Sequence, residues 1–140
     1  MSDGDTRRPI PFEQPLFERV DGEAFFRRVV DHFYEGVMAD PRLAPLYPAD
    51  DLDGARDRLS LFLIGFFGGP QTYTEQRGHP RLRMRHLPYA IGPEERDAWF
   101  GHMAAAVASE RAADRLSEDD EALMLGYFAH ASTFMINVDS

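Results

Sequence analysis

The chain has 140 residues, 24 acidic against 15 basic, a formal net charge of −9 and no cysteine. That length favours one domain with a full core. The acidic balance argues against nucleic acid or an anionic membrane as partner, and the missing thiols exclude disulfides, thiolate nucleophiles and Cys-ligated metals.

Residues 1–15, MSDGDTRRPIPFEQP, are polar and Pro-rich with no apolar run. They read as a disordered arm, not a signal peptide, ahead of a single domain over 16–140. No apolar stretch approaches the ~18 residues of a membrane span, so a cytoplasmic protein is expected. A helical period begins at Asp21, which can cap. Phe25, Val29, Phe33 and Val37 recur every four residues, and the helix ends near Asp40-Pro41. Residues 45–53, PLYPADDLD, form a loop or short turn. A second helix is predicted from about Asp53 to Phe67, with Leu52, Ala55, Leu59, Phe62, Leu63 and Phe66 as its apolar stripe. Gly68-Gly69-Pro70 stops it.

Residues 70–82 have no clean period and are long for an ordinary connection. A short helical turn is expected from Arg83 to Leu87. Gly92-Pro93-Glu94-Glu95 starts a third long helix, with Trp99, Met103, Ala106 and Val107 on one face. Ser117-Glu118-Asp119-Asp120 begins the last, with Leu123, Tyr127, Ala131 and Phe134 as its stripe. No strand pattern emerges, so the class is all-α.

Five histidines occur: His32, His79, His86, His102 and His130. Only His86 combines a short helical turn, flanking cations at Arg81, Arg83 and Arg85, and a following Pro88. A neutral imidazole beside guanidinium groups suits an iron porphyrin, the ring ligating the metal and the cations meeting the propionates. On these residues alone, a structural histidine remains open. The 12% aromatic content fits a protein wrapped around a flat apolar ligand and equally fits a plain packed core.

The strings HFYEGV at 32–37, PLYPADDL at 45–52, FFGGPQTY at 66–73, GHPRLRMRHLPYAI at 78–91 and ERDAWF at 95–100 share one order and spacing. In these the chain resembles the group II truncated haemoglobins, from about Leu16 to Val138. The resemblance implies a two-over-two helical sandwich around haem b, with His86 as iron ligand. It implies a distal pocket of Tyr34, Tyr47 and Trp99, with Ala55 and Leu59 as ligand-facing positions that cannot donate a hydrogen bond. Arg85 is expected to pair with a propionate. Tyr73, Arg58 and Arg83 are further candidates for which a solvated role stands equally. Phe62, Leu63, Met84, Leu87 and Tyr89 are expected to pack on the macrocycle, with core packing an equal account of each.

The family implies binding of O₂, and of NO and CO. Three neutral donors would favour tight O₂ binding and slow release. That suits redox use, such as nitric oxide or peroxide detoxification, better than delivery. No flavin or nicotinamide segment is visible, so turnover needs an external reductase. The alternative is a non-catalytic oxygen-binding, scavenging or sensing protein. A monomer or a homodimer is compatible with the sequence.

Overall fold

A computed structural model describes residues 14–47, 49–78 and 91–137. The described elements are all helical: α1 (Leu16–Arg19), α2 (Glu23–Met38), a 3₁₀ turn (Ala44–Leu46), α3 (Leu52–Phe66), α4 (Thr72–Arg77), α5 (Pro93–Ala112) and α6 (Glu118–Phe134). Helix α2 packs on both α3 and α5, and α5 packs on α6.

Helix α2 buries two adjacent rows because it faces two neighbours. Phe25, Val29, Phe33 and Val37 form one row, and Phe26, Val30 and Tyr34 the other. Each such apolar side chain contributes about 1.5–3 kcal/mol on burial. The helix starts one residue later than Asp21 would place it. Gly22, at φ 63°, is the N-cap and makes no side-chain cap. Asp21 is drawn away by Arg28, whose Nη2 donates to both its carboxylate oxygens at 2.8 and 3.0 Å. The far end of α2 crosses α5 closely. A Cβ added at Gly36 would lie 2.5 Å from His102 Nδ1, and His102 Nε2 is 2.8 Å from the Asp40 carboxylate.

Helix α3 departs from its expected stripe. Ala55 and Leu63 are buried as expected, but so are Ser60 and Ile64, while Phe66 is 53% exposed. Its C-terminus turns through Gly68 at φ 99°, a left-handed conformation that glycine adopts without a Cβ penalty. The segment 70–82, which has no readable period, contains α4. Six residues are too few for a 3.6-residue period to show.

Pro93 occupies the first turn of α5, and the Glu95 carboxylate accepts the Gly92 N–H at 2.8 Å. Ser117 caps α6 as expected, its hydroxyl accepting the Asp120 N–H at 3.1 Å. The buried face of α6 is rotated by one residue from the predicted stripe. Met124, Phe128 and Ser132 are buried, whereas Leu123 and Phe134 are exposed. Leucine and phenylalanine occur on both faces, so composition alone does not identify the one meeting α5. Between α2 and α5, the buried Glu110 accepts from Arg28 Nε and Nη2 and from Arg115 Nε and Nη2, all at 2.9–3.0 Å.

Candidate functional site

The four long helices enclose a cavity of about 240 Å³. Its α3 wall is Leu59, Phe62 and Leu63. Its α6 wall is Tyr127, Phe128, Ala131, Ser132 and Met135. Tyr34 enters from α2, Leu43, Leu46 and Tyr47 from the corner after it, and Glu95, Arg96 and Trp99 from α5. Ile91 closes the rim, held by reciprocal 2.8 Å hydrogen bonds with Asn137 beyond α6.

Three of the polar side chains in its wall stand together. Tyr34 and Tyr47 meet edge to face with ring centroids 5.4 Å apart. Trp99 packs edge to face on Phe33 at 5.4 Å and on Phe128 at 6.0 Å, which orients its indole. Three elements therefore bring together the three donors named from sequence.

Both tyrosines are held as neutral donors. Burial pushes the Tyr34 hydroxyl up to about 12, against the opposing pull of Arg58 and Arg56. Tyr47 is only part-buried, because its ring borders the cavity, yet protein surrounds it more widely. Burial is the main cause raising its pKa. Tyr34 adds to the rise, and the indole N–H of Trp99 opposes it. The indole can only donate, so what it offers Tyr47 is an N–H directed at the phenol oxygen.

Leu59, Phe62 and Leu63 border the cavity as expected. Ala55 is buried but does not line it. Arg58 Nη1 pairs with Asp51 at 3.2 Å outside it. Tyr73 packs edge to face on Phe62 at 5.5 Å and lines a second, smaller recess with Phe66 and Gln71. His86, Arg85, Arg83, Met84, Leu87 and Tyr89 lie outside the described residues, as do His79 and Arg81. Of the other histidines, His32 and His130 are exposed and His102 is paired with Asp40. Among the described residues, no three His, Cys, Asp or Glu side chains cluster as a metal site.

Sequence reasoning missed Arg96, which borders the cavity while Nη2 donates to the Ala129 carbonyl at 3.0 Å. Its guanidinium also stacks over Phe100 at 5.1 Å. Its position three residues before Trp99 on one helix was the available signal. Leu43, Leu46, Phe128 and Met135 were also missed, because nothing local marks them as cavity wall.

Residues 15–134 match the model of the bacterial-like globins. The chain belongs to that family and, within it, to the group II truncated haemoglobins. It is similar to the solved haemoglobin of the thermophilic phototroph Chloroflexus aurantiacus, at 51% identity and TM-score 0.84, covering 90% of this chain and 100% of that one. A truncated oxygen-avid haemoglobin from Bacillus subtilis matches at 35% identity and TM-score 0.80, over 89% of this chain and all of that one. The curated group 2 truncated haemoglobin YjbI of Bacillus subtilis is 45% identical over 86 residues, 61% of this chain. That match spans 64% of the relative, slightly under two thirds of its length. These neighbours share the two-over-two globin fold, with α2 and α3 packed on α5 and α6. Membership implies a haem protein that binds gas ligands.

The described cavity fits that group. Its walls are largely apolar, as a macrocycle requires, and Tyr34, Tyr47 and Trp99 stand together in them as neutral donors. Ile91, on the rim, is the first described residue after 79–90.

Proposed function

We propose that the chain binds haem b through His86 and takes up O₂, and also NO and CO, beneath a donor cluster of Tyr47, Tyr34 and Trp99. The observation that supports this best is the convergence of those three side chains in the wall of an apolar cavity. Arg85 pairs with a propionate, with Arg83, Arg58 and Tyr73 as further candidates. Phe62, Leu63, Met84, Leu87 and Tyr89 pack on the ring faces.

Ferrous haem supplies reversible uptake of a diatomic gas and one-electron chemistry. The protein's own contribution is electrostatic. Tyr47, kept protonated by burial, can donate its O–H to a ligand that gathers negative charge, and the Trp99 N–H can donate beside it. In a dry cavity such a bond is stronger than in water. Neither tyrosine ionises near neutral pH, so they act as donors and not as bases. The Glu95 carboxylate is engaged by the Gly92 N–H. No described histidine borders the cavity, so a distal acid–base pair for peroxide cleavage is missing among the described residues.

That balance favours reaction of bound O₂ with nitric oxide to nitrate over peroxidase turnover. One NO, one O₂ and one electron give one nitrate, and the electron comes from a separate reductase. The protein acts in the cytoplasm, as a monomer or homodimer. A non-catalytic oxygen store or sensor uses the same donors and differs only in turnover. Stopped-flow kinetics on the reduced protein tests the proposal. Slow O₂ release with fast, stoichiometric nitrate formation on adding NO is expected. A purified chain that takes up haem but shows O₂ release as fast as that of a pocket without donors would overturn it.

A further inference from the structure

Helix α5 meets α2 at two successive rungs. Phe33 packs edge to face on Trp99 with centroids 5.4 Å apart, and Gly36 faces His102. The step between the rungs is three residues on each helix, so the two contacts share one face of α2 and one face of α5. At the second rung a Cβ on Gly36 would stand 2.5 Å from His102 Nδ1, so the imidazole rests on the α2 backbone. The other ring nitrogen, Nε2, lies 2.8 Å from Asp40 Oδ2, four residues further along the chain. An ionised carboxylate only accepts, so Nε2 carries the proton. The Asp40 side chain is 11% exposed and that of His102 28%, which shields the contact in part from water.

Asp40 joins this contact to the corner after α2. Its second carboxylate oxygen, Oδ1, accepts the Arg42 N–H at 2.9 Å, with Arg42 Nε 3.7 Å away. Its carbonyl accepts the N–H groups of Leu43 and Ala44 at 3.1 and 2.9 Å. The carbonyls of Leu43 and Ala44 accept in turn from Leu46 and Tyr47, at 2.9 and 3.2 Å. Hydrogen bonds thus lead stepwise from the α5 imidazole to the backbone of Tyr47. Leu43, Leu46 and Tyr47 border the cavity, whereas Asp40 and His102 do not.

The three distal side chains stand around this frame. Trp99 precedes His102 by three residues on α5, Tyr34 precedes Gly36 by two on α2, and Tyr47 follows the corner. A slide of α5 along α2 changes the place of Trp99 relative to Tyr34. A swing of the corner changes the place of Tyr47 relative to both. Either movement stretches the contact between His102 and Asp40. We propose that His102 and Asp40 are positioning residues, a latch between α5 and the corner after α2 that sets the spacing of Trp99, Tyr47 and Tyr34. The inference rests on the reading of those three side chains as ligand donors.

The test uses the full-length, haem-loaded ferrous protein. His102→Leu keeps bulk at the crossing and removes the N–H, Asp40→Ala removes the acceptor, and His102→Gln returns an amide N–H near the place of Nε2. O₂ release should be severalfold faster in His102→Leu and in Asp40→Ala, within the about two- to twelvefold span of one lost neutral donor. His102→Gln should recover most of the wild-type rate. Trp99 is the only tryptophan of the chain, so ultraviolet resonance Raman reads its indole N–H unmixed. That signal should shift in both removal variants and return in His102→Gln. In a protein already carrying Trp99→Phe with Tyr47→Phe, adding His102→Leu should change O₂ release by less than about twofold, because little remains to be positioned. A contact that only stabilises the fold would lower the unfolding midpoint and leave both the off-rate and the indole signal at wild-type values, and that result would overturn the proposal. An equal effect of His102→Leu with and without the two donors would also overturn it. Wild-type O₂ release in the Trp99→Phe, Tyr47→Phe protein itself would instead remove the donor reading, and the latch with it.

Discussion

Trp99 and Tyr47 form one unit, and the unit is testable through O₂ release. The indole N–H acts on the Tyr47 hydroxyl, opposing the rise that burial gives its pKa, so Trp99→Phe keeps the ring packed against Phe33 and Phe128 but removes that donor. One neutral hydrogen bond is worth roughly 0.5–1.5 kcal/mol. That converts to about a two- to twelvefold faster O₂ off-rate. Tyr47→Phe should produce an effect of similar size, because it too removes one neutral donor and leaves the other in place. In the double variant neither substitute is available. The off-rate should therefore exceed the product of the two single effects, a positive coupling expected for partners in one hydrogen-bond network. Stopped-flow displacement of O₂ by CO on the reduced proteins gives all four rates. CO gathers less negative charge on its outer atom, so its own release should change less. Strictly multiplicative O₂ rates, or CO release that rises as much as O₂ release, would reduce the indole to packing.

Replacing His86 by Ala should abolish the normal five-coordinate ferrous haem spectrum, while His79→Ala should leave it; the reverse outcome would move the ligand. Glu110 tests the acid limit of stability. Burial acts to raise its pKa, but Arg115 and Arg28 outweigh it and hold the carboxyl below its ordinary 4.5. A depressed folded pKa means the contribution is complete above about pH 4.5 and is lost as pH falls through the lower folded value. Glu110→Gln should thus cost about 1–3 kcal/mol near neutrality, since both arginines are part-exposed, and the gap from wild type should close in urea titrations toward pH 3. At Gly36, an added Cβ must displace the His102 ring. Overpacking costs about 1–3 kcal/mol against roughly 1 kcal/mol gained in helix propensity, so Gly36→Ala should be neutral to destabilising. In a His102→Ala background the same change should stabilise; destabilisation there would deny that the ring is the obstacle.

Local chemistry alone marked much of this protein. Ser117, Pro93 and Gly68-Gly69 punctuate helices through groups that act within a few residues, so the three later long helices stand nearly where the sequence places them. The family strings identified the residue types of the distal cluster. Periodicity was less informative where a helix has two apolar faces. On α6 it selected Leu123 and Phe134, yet the buried row is Met124, Phe128 and Ser132, because α5 and the cavity decide which sides are covered. On α3, Phe66 belongs to the stripe by spacing and to the surface by packing. The Asp21 carboxylate, placed to cap α2, is taken by an arginine that also holds Glu110, 82 residues along the chain from it. The distal site is decided at the same level. Tyr34, Tyr47 and Trp99 sit on a helix, a corner and a distant helix, and only the crossing of α2 over α5 brings their hydroxyls and indole within reach of one another. Residue chemistry is local and readable along the chain, whereas burial and convergence depend on which surfaces meet.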